Sequence, residues 1–120
     1  MIYLVDDDPI QNMLTSKLIE TVDTSLEFQV FQNGEEALEG IQQGGRPKLI
    51  LLDINMPIMD GWEFLNAYSE HSEQAVVVML TSSSMAEDHK EAAKFDCVKA
   101  YYTKPITATD IQIILKKYYV

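Results

Sequence analysis

Five polar residues that suit metal and phosphate chemistry stand at the ends of apolar runs. The acids Asp6 and Asp7 follow the first run and Asp53 follows the third, while Thr81 ends the fourth and Lys104 follows the fifth. Carboxylates brought together repel one another, and some take up a proton unless a positive charge compensates them. Mg²⁺ supplies that charge, because it binds a few carboxylate oxygens and keeps its other positions for water and phosphate.

This set of residues predicts a site for a metal-bound phosphate. Lys104 would neutralise phosphoryl oxygens, and the Thr81 hydroxyl would donate a hydrogen bond to them. Phosphoryl transfer depends mainly on such positioning and charge neutralisation. No Ser or Cys at these positions has a base to activate it, whereas a carboxylate can itself attack phosphorus. Asp53 is the candidate for the attack because it follows a doubly buried strand, and Asp6 and Asp7 are better placed as metal ligands.

The apolar runs are predicted to be strands, since they are short and rich in Val, Ile, Leu and Tyr. The first, third and fourth are apolar almost without a break, which is typical of strands buried on both faces. The second alternates between apolar and polar residues, as an edge strand does. In chain order the runs are Ile2–Val5, Phe28–Phe31, Leu49–Leu52, Val76–Leu80 and Ala100–Thr103.

Helical patterns follow each run and begin at capping signals. These signals are Asp8-Pro9, Asn33, Asp60-Gly61, Ser84 with Glu87, and Thr107 with Asp110. The first helix carries an apolar stripe, and the inner face predicted for the fourth is mostly small. The stripe consists of Ile10, Met13, Leu14 and Leu18, and the small face of Ala86, Ala92 and Ala93.

Strand and helix thus alternate five times, which predicts an α/β fold with a parallel sheet and helices on both faces. In such sheets ligands bind beyond the carboxyl ends of the strands. The chain has 120 residues, 47% of them hydrophobic, and is predicted to form one domain over residues 1–120.

Composition narrows the classes of partner. The formal net charge of -10 disfavours nucleic acid and anionic membranes, which attract basic patches. The single cysteine, Cys97, cannot form an internal disulfide and is interpreted as a packing residue. The N-terminus lacks a signal-peptide pattern, and the longest apolar run, Ala75 to Leu80, is too short to span a bilayer. We therefore expect a cytoplasmic protein.

In their order and spacing, these motifs resemble the receiver domains of two-component response regulators. The resemblance extends from the first strand to the last helix and implies a doubly wound, flavodoxin-like (βα)5 fold with strand order 2-1-3-4-5. The matching stretches are Val5-Asp6-Asp7-Asp8, Leu51-Leu52-Asp53-Ile54-Asn55-Met56-Pro57, Met59-Asp60-Gly61, Thr81-Ser82 and Lys104-Pro105.

The resemblance implies a role for each matched residue. Asp53 would be the phosphoacceptor, and Mg²⁺ would be held by Asp6, Asp7, Asp53 and the backbone carbonyl of Asn55. The phosphoryl donor would be a phosphohistidine on a sensor histidine kinase or a phosphotransfer protein. The domain would catalyse its own phosphorylation and dephosphorylation, without being an enzyme that turns over an external substrate.

The resemblance also implies a conformational switch. Thr81 and Lys104 would contact the phosphoryl group, and the ring of Tyr101 would turn inward when Thr81 moves toward it. The surface of the fourth helix, fifth strand and fifth helix would then change for a downstream protein. The Lys104–Pro105 bond would be cis. The small, uncharged Ser83 leaves the lifetime of the phosphoryl group open.

Three alternatives stay open at this stage. A half-buried Tyr101 with no switching role is as plausible as a true switch. Phosphatases of the haloacid-dehalogenase type also use a strand-end Asp with Mg²⁺, but they typically carry a second Asp where this chain has Asn55. A binding module that is never phosphorylated is disfavoured by the intact acid, Thr and Lys set.

Exposed Ile113, Tyr118 or Tyr119 could contribute to a partner contact or a homodimer.

Overall fold

The computed structural model describes residues 1–71, 74–82 and 86–119, in which strands and helices alternate as the sequence predicts. The strands are β1 (Ile2–Val5), β2 (Phe28–Phe31), β3 (Leu49–Leu52), β4 (Val76–Thr81) and β5 (Val98–Thr103). The helices are α1 (Pro9–Val22), α2 (Gly34–Gln42), α3 (Gly61–Tyr68), α4 (Ala86–Ala92) and α5 (Ala108–Tyr118).

The strands form one parallel sheet in the order β2-β1-β3-β4-β5, which confirms the predicted fold class. Val5, the last residue of β1, pairs with Phe31 on one side and Leu52 on the other. The first residues beyond β1 and β3, Asp6 and Asp53, are therefore neighbours at one edge of the sheet. The backbone N–H of Asp53 donates to the Val5 carbonyl at 2.9 Å, which extends the register to the acids.

Two apolar cores cover the two faces of the sheet. Because side chains alternate along a strand, Tyr3 and Val5 enter one core while Ile2 and Leu4 enter the other. The first core includes Phe64 and other residues of α2 and α3, and the second is built with α1 and α5. Strands β1 and β3 are buried along their whole length, as their unbroken apolar runs predict.

Local capping signals position four helix starts as predicted. The side chains of Asp8, Asn33, Asp60 and Thr107 each accept a hydrogen bond from a first-turn backbone N–H at 2.9–3.1 Å. Capping boxes close at the starts of α3 and α5. The capping box predicted for α4 lies outside the described residues, because neither Ser84 nor the Glu87 side chain is described.

The apolar stripe predicted for α1 is wrong as an inward face at Ile10, Met13 and Leu14, which are 63%, 49% and 49% exposed. Its fourth member, Leu18, is half-buried and packs against the second core. The helix instead turns a mixed polar and apolar face inward. On that face Asn12 donates a hydrogen bond to the buried Asp6 carbonyl at the end of β1, which an apolar side chain could not do. The residues that α1 buries are Asn12, Thr15 and Ile19.

The small face predicted for α4 is confirmed at Ala92, which is 3% exposed, and is wrong at Ala93, which is exposed. Ala93 is the first residue after α4, in the turn through which the chain leaves the helix. The side chains of Ala86 and Ser83 lie outside the described residues.

Across residues 1–71, 74–82 and 86–119, no helix combines the length and apolar character that a bilayer crossing requires.

Candidate functional site

Three carboxylates converge at the carboxyl edge of β1 and β3. One oxygen each from Asp6, Asp7 and Asp53 lies within 4.8 Å of the other two. Asp6 and Asp53 are each 6% exposed, whereas Asp7 is exposed on the open side of the cluster. Hard carboxylate oxygens this close together suit a hard divalent cation, so the donor set fits Mg²⁺ or a similar ion.

Lys104 brings a positive charge to this cluster from the far end of the chain. Its Nζ donates to Asp6 Oδ2 at 2.6 Å and lies 3.3 Å from Asp53 Oδ1. The backbone N–H of Lys104 donates to the Thr81 carbonyl at 2.7 Å, which connects the segment to the end of β4. The Lys104–Pro105 peptide bond is cis, the geometry that the resemblance implies.

The pKa values of Asp53 and Lys104 are both raised. Burial is the main cause at Asp53 and raises its pKa to about 6; Lys104 acts in the opposite direction, and the charge of Asp6 adds to the rise. At Lys104, burial tends to lower the pKa, but the hydrogen bond to Asp6 and the charges of Asp53 and Asp6 outweigh it. Lys104 therefore does not fully offset the effect of burial on the pKa of Asp53.

A glycine lets α3 approach the acid cluster. A Cβ atom at Gly61 would lie 2.6 Å from the backbone oxygen of Asp53 and 2.9 Å from the Cα of Ile54. The Gly61 N–H donates to the Ile54 carbonyl at 2.8 Å. Any larger residue would push the helix away from the strand end, so Gly61 fixes the loop that follows Asp53.

The loop between Asp53 and Gly61 carries Asn55 and Ile58, both with exposed side chains. Ile58 is 73% exposed and has a φ of 68°, in the left-handed region that a β-branched residue rarely adopts. Asn55 lies two residues beyond Asp53, where the loop leaves the sheet edge.

A hydroxyl pair connects the end of β4 to β5. Thr81 is fully buried, and its side chain shares a hydrogen bond with the hydroxyl of the half-buried Tyr101. Burial, followed by the charge of Asp88, raises the pKa of Tyr101. The His89 ring packs on Tyr101, with 3.8 Å between centroids and 34° between the ring planes. Sequence reasoning missed His89, because the placement of α4 on β5 leaves no local signal.

Sequence reasoning also missed Asn12. Its side-chain amide donates to the backbone carbonyl of Asp6 at 2.9 Å, in a buried position. Asn12, Thr15 and Ile19 are spaced as one helix face, but only the structure shows that this face is buried, so the sequence carried no sufficient signal.

A five-stranded parallel sheet with an acid cluster and a lysine at its carboxyl edge defines a phosphoryl-accepting α/β domain. The response regulator receiver domain model matches residues 2–116, and the chain belongs to that family. Receiver domains bind a divalent metal and take phosphoryl groups from histidine kinases. The chain accordingly has a phosphoacceptor role in two-component signalling.

Individual relatives agree with this assignment. A two-component response regulator from Cytophaga hutchinsonii is 30% identical, with a TM-score of 0.87 over 98% of this chain and 95% of that chain. The chemotaxis protein CheY of Halobacterium salinarum is 31% identical over 106 residues, which cover 87% of this chain and 83% of that protein. The Mn²⁺-bound form of response regulator Rcp1 is 29% identical, with a TM-score of 0.83 over 97% of this chain and 91% of that chain.

Proposed function

We propose that Asp53 accepts a phosphoryl group from a phosphohistidine of a sensor histidine kinase or phosphotransfer protein. Asp6, Asp7, Asp53 and the backbone carbonyl of Asn55 would hold Mg²⁺ during the transfer. The observation that carries the proposal is the convergence of three carboxylate oxygens within 4.8 Å, with the Lys104 ammonium 2.6 Å and 3.3 Å from two of the acids.

In the transfer, an ionised Asp53 oxygen attacks phosphorus and forms an O–P bond. The P–N bond of the donor breaks, and its electron pair stays on the imidazole nitrogen. Bound Mg²⁺ would neutralise charge on the phosphoryl oxygens. Lys104 is placed to balance the remaining negative charge, and the buried floor of the site limits the access of water to Asp53.

The same residues support self-catalysed phosphorylation and dephosphorylation. A small-molecule donor would enter from the open side of the cluster, where Asp7 is exposed. In dephosphorylation, water would attack the phosphorus of the aspartyl phosphate, the O–P bond to Asp53 would break, and inorganic phosphate would leave the regenerated Asp53 carboxylate.

Phosphorylation would switch the surface of α4, β5 and α5. The aspartyl phosphate would carry about two negative charges where the carboxylate carried one, and the Thr81 hydroxyl would donate to it. Tyr101 shares a hydrogen bond with Thr81, so a move of Thr81 would shift the balance between two packings of Tyr101. Ile113, 48% exposed on α5, is available to a downstream protein. The cytoplasmic location and a homodimer stay predictions from the sequence.

The test is an intact-mass measurement after incubation with Mg²⁺ and acetyl phosphate. We expect one added phosphoryl group on the wild type and none on Asp53→Asn. Asp8→Asn is the matched control: it removes one carboxylate from the helix cap beside the site, Asn caps equally well, and the adduct should remain. An adduct on Asp53→Asn, or none on the folded wild type, would contradict the proposal, and sustained hydrolysis of a phosphomonoester would favour a phosphatase.

A further inference from the structure

We propose that Asn12 is a positioning residue for the cation site, acting through the peptide unit that joins Asp6 to Asp7. The inference rests on the proposed function, because it assumes that these two acids hold Mg²⁺. It assigns a role to a buried polar residue that is neither a proposed ligand nor a phosphoryl contact.

The contact is specific and buried. Asn12 is 6% exposed, and its Nδ2 donates to the backbone oxygen of Asp6 at 2.9 Å. The N–H of Asp6 donates to the Phe31 carbonyl at 3.0 Å. Residue 6 is thus held by hydrogen bonds on both sides of its Cα atom.

The position of this carbonyl gives the contact its importance. The oxygen of residue 6 belongs to the planar peptide unit whose other end is the nitrogen of Asp7. Fixing that oxygen therefore fixes the direction in which Asp7 leaves the strand. Asp7 is exposed, so its carboxylate depends on the backbone for its position more than the buried Asp6 does.

The Asp6 carbonyl lies just beyond the regular sheet ladder. Strand β1 ends at Val5, whose carbonyl accepts from the Asp53 N–H. A buried carbonyl without a donor is unfavourable and tends to rotate toward one. The Asn12 side-chain amide donates to the Asp6 carbonyl and so favours one orientation of that peptide unit. The Asp6 carboxylate is separately held, because Oδ1 accepts from the Asp8 N–H and Oδ2 from Lys104.

Asn12 shares a small cavity of about 10 Å³ with two of the acids. Its polar lining comes from Asp6, Asn12, Thr15 and Asp53. A helix that served packing alone would bury an apolar side chain at position 12, as α1 does at Ile19. Burial of an amide here is consistent with a role in orienting the acids above it.

The test compares cation affinity with stability. Asn12→Leu keeps a similar side-chain volume and removes the amide, and we expect the affinities for Mg²⁺ (by calorimetry) and Mn²⁺ (by electron paramagnetic resonance) to fall about 10- to 100-fold. Ile19→Val is the matched control: it loosens the same buried face without a contact to the acids. It should retain wild-type affinity, and Asn12→Gln, which keeps an amide donor, should recover part of the loss.

Equal affinity in folded Asn12→Leu and wild type would overturn this inference alone, as would an equal loss in Ile19→Val. If the wild type binds neither ion, the proposed function fails and this inference fails with it. A measurement on the wild type covers the case in which Asn12→Leu does not fold. The Asn12 side-chain NH₂ resonances should shift during a Mg²⁺ titration with the same midpoint as binding, and their invariance would contradict the role.

Discussion

Replacing Asp53 with Asn should stabilise the protein in the absence of divalent cations at neutral pH. In the proposed function the site holds a cation, and without one the buried Asp53 carboxylate is opposed mainly by Lys104. Burial, opposed by Lys104 and aided by Asp6, raises its pKa from 3.8 to about 6. Asn has nearly the same shape and remains neutral at every pH, so it resembles the protonated form of Asp53.

The sign follows from proton linkage. The folded state binds the Asp53 proton more tightly than the unfolded chain does. The stability of the wild type is therefore unaffected by this group below about pH 4, and falls as the pH rises through the window up to about 6. A shift from 3.8 to about 6 corresponds to roughly 3 kcal/mol at pH 7. Because Asn also weakens the 3.3 Å contact with Lys104, we expect a net gain of about 1–3 kcal/mol.

The assay is urea unfolding of both proteins in EDTA at several pH values between 4 and 8. The difference in unfolding free energy should be near zero at the acid end and reach a plateau above pH 6. Asp8→Asn removes the same charge from an exposed helix cap and tests whether lower net charge alone stabilises. Saturating Mg²⁺ should then stabilise the wild type more than Asp53→Asn, because a ligand of the folded state adds to its stability.

The reasoning is refuted if Asp53→Asn is less stable than the wild type at pH 7.5 in EDTA. It is also refuted if the gain is the same at pH 4 and pH 7.5, because a pH-independent gain would come from packing and not from the ionisation of Asp53.

Two further predictions concern Lys104 and Ile58. Lys104→Met should destabilise the EDTA-treated protein at pH 7 by about 1–3 kcal/mol, because the buried acids Asp6 and Asp53 lose the lysine ammonium. Added Mg²⁺ should recover much of that loss in a melting-temperature assay, and no recovery would contradict a shared electrostatic site. Ile58→Asn should raise the free energy of unfolding in urea by about 1 kcal/mol, since Asn tolerates the left-handed φ of 68°. Ile58→Val stays β-branched and should give no gain, so an equal gain in both variants would contradict backbone strain as the cause.

Much of the fold could be predicted from the sequence because its signals act over short distances. The unbroken runs of β1 and β3 indicated central strands, and the cap residues Asp8, Asn33, Asp60 and Thr107 marked helix starts through bonds two or three residues along the chain. Parallel strands end at one edge, so the acids that follow two apolar runs were expected at that edge, and the strand order implied by the resemblance made β1 and β3 neighbours.

Tertiary packing decided the remaining features, since they depend on how distant segments meet. The bond between Lys104 and Asp6 joins residues 98 positions apart, and the pKa of Asp53 depends on the depth of burial that results. The apolar stripe of α1 favoured the wrong inner face, because periodicity alone cannot show that the end of β1 needs the Asn12 amide. Composition and spacing thus determined which residues reach the carboxyl edge of the sheet. The docking angles of the helices determined which residues hold them in position and how strongly their charges interact.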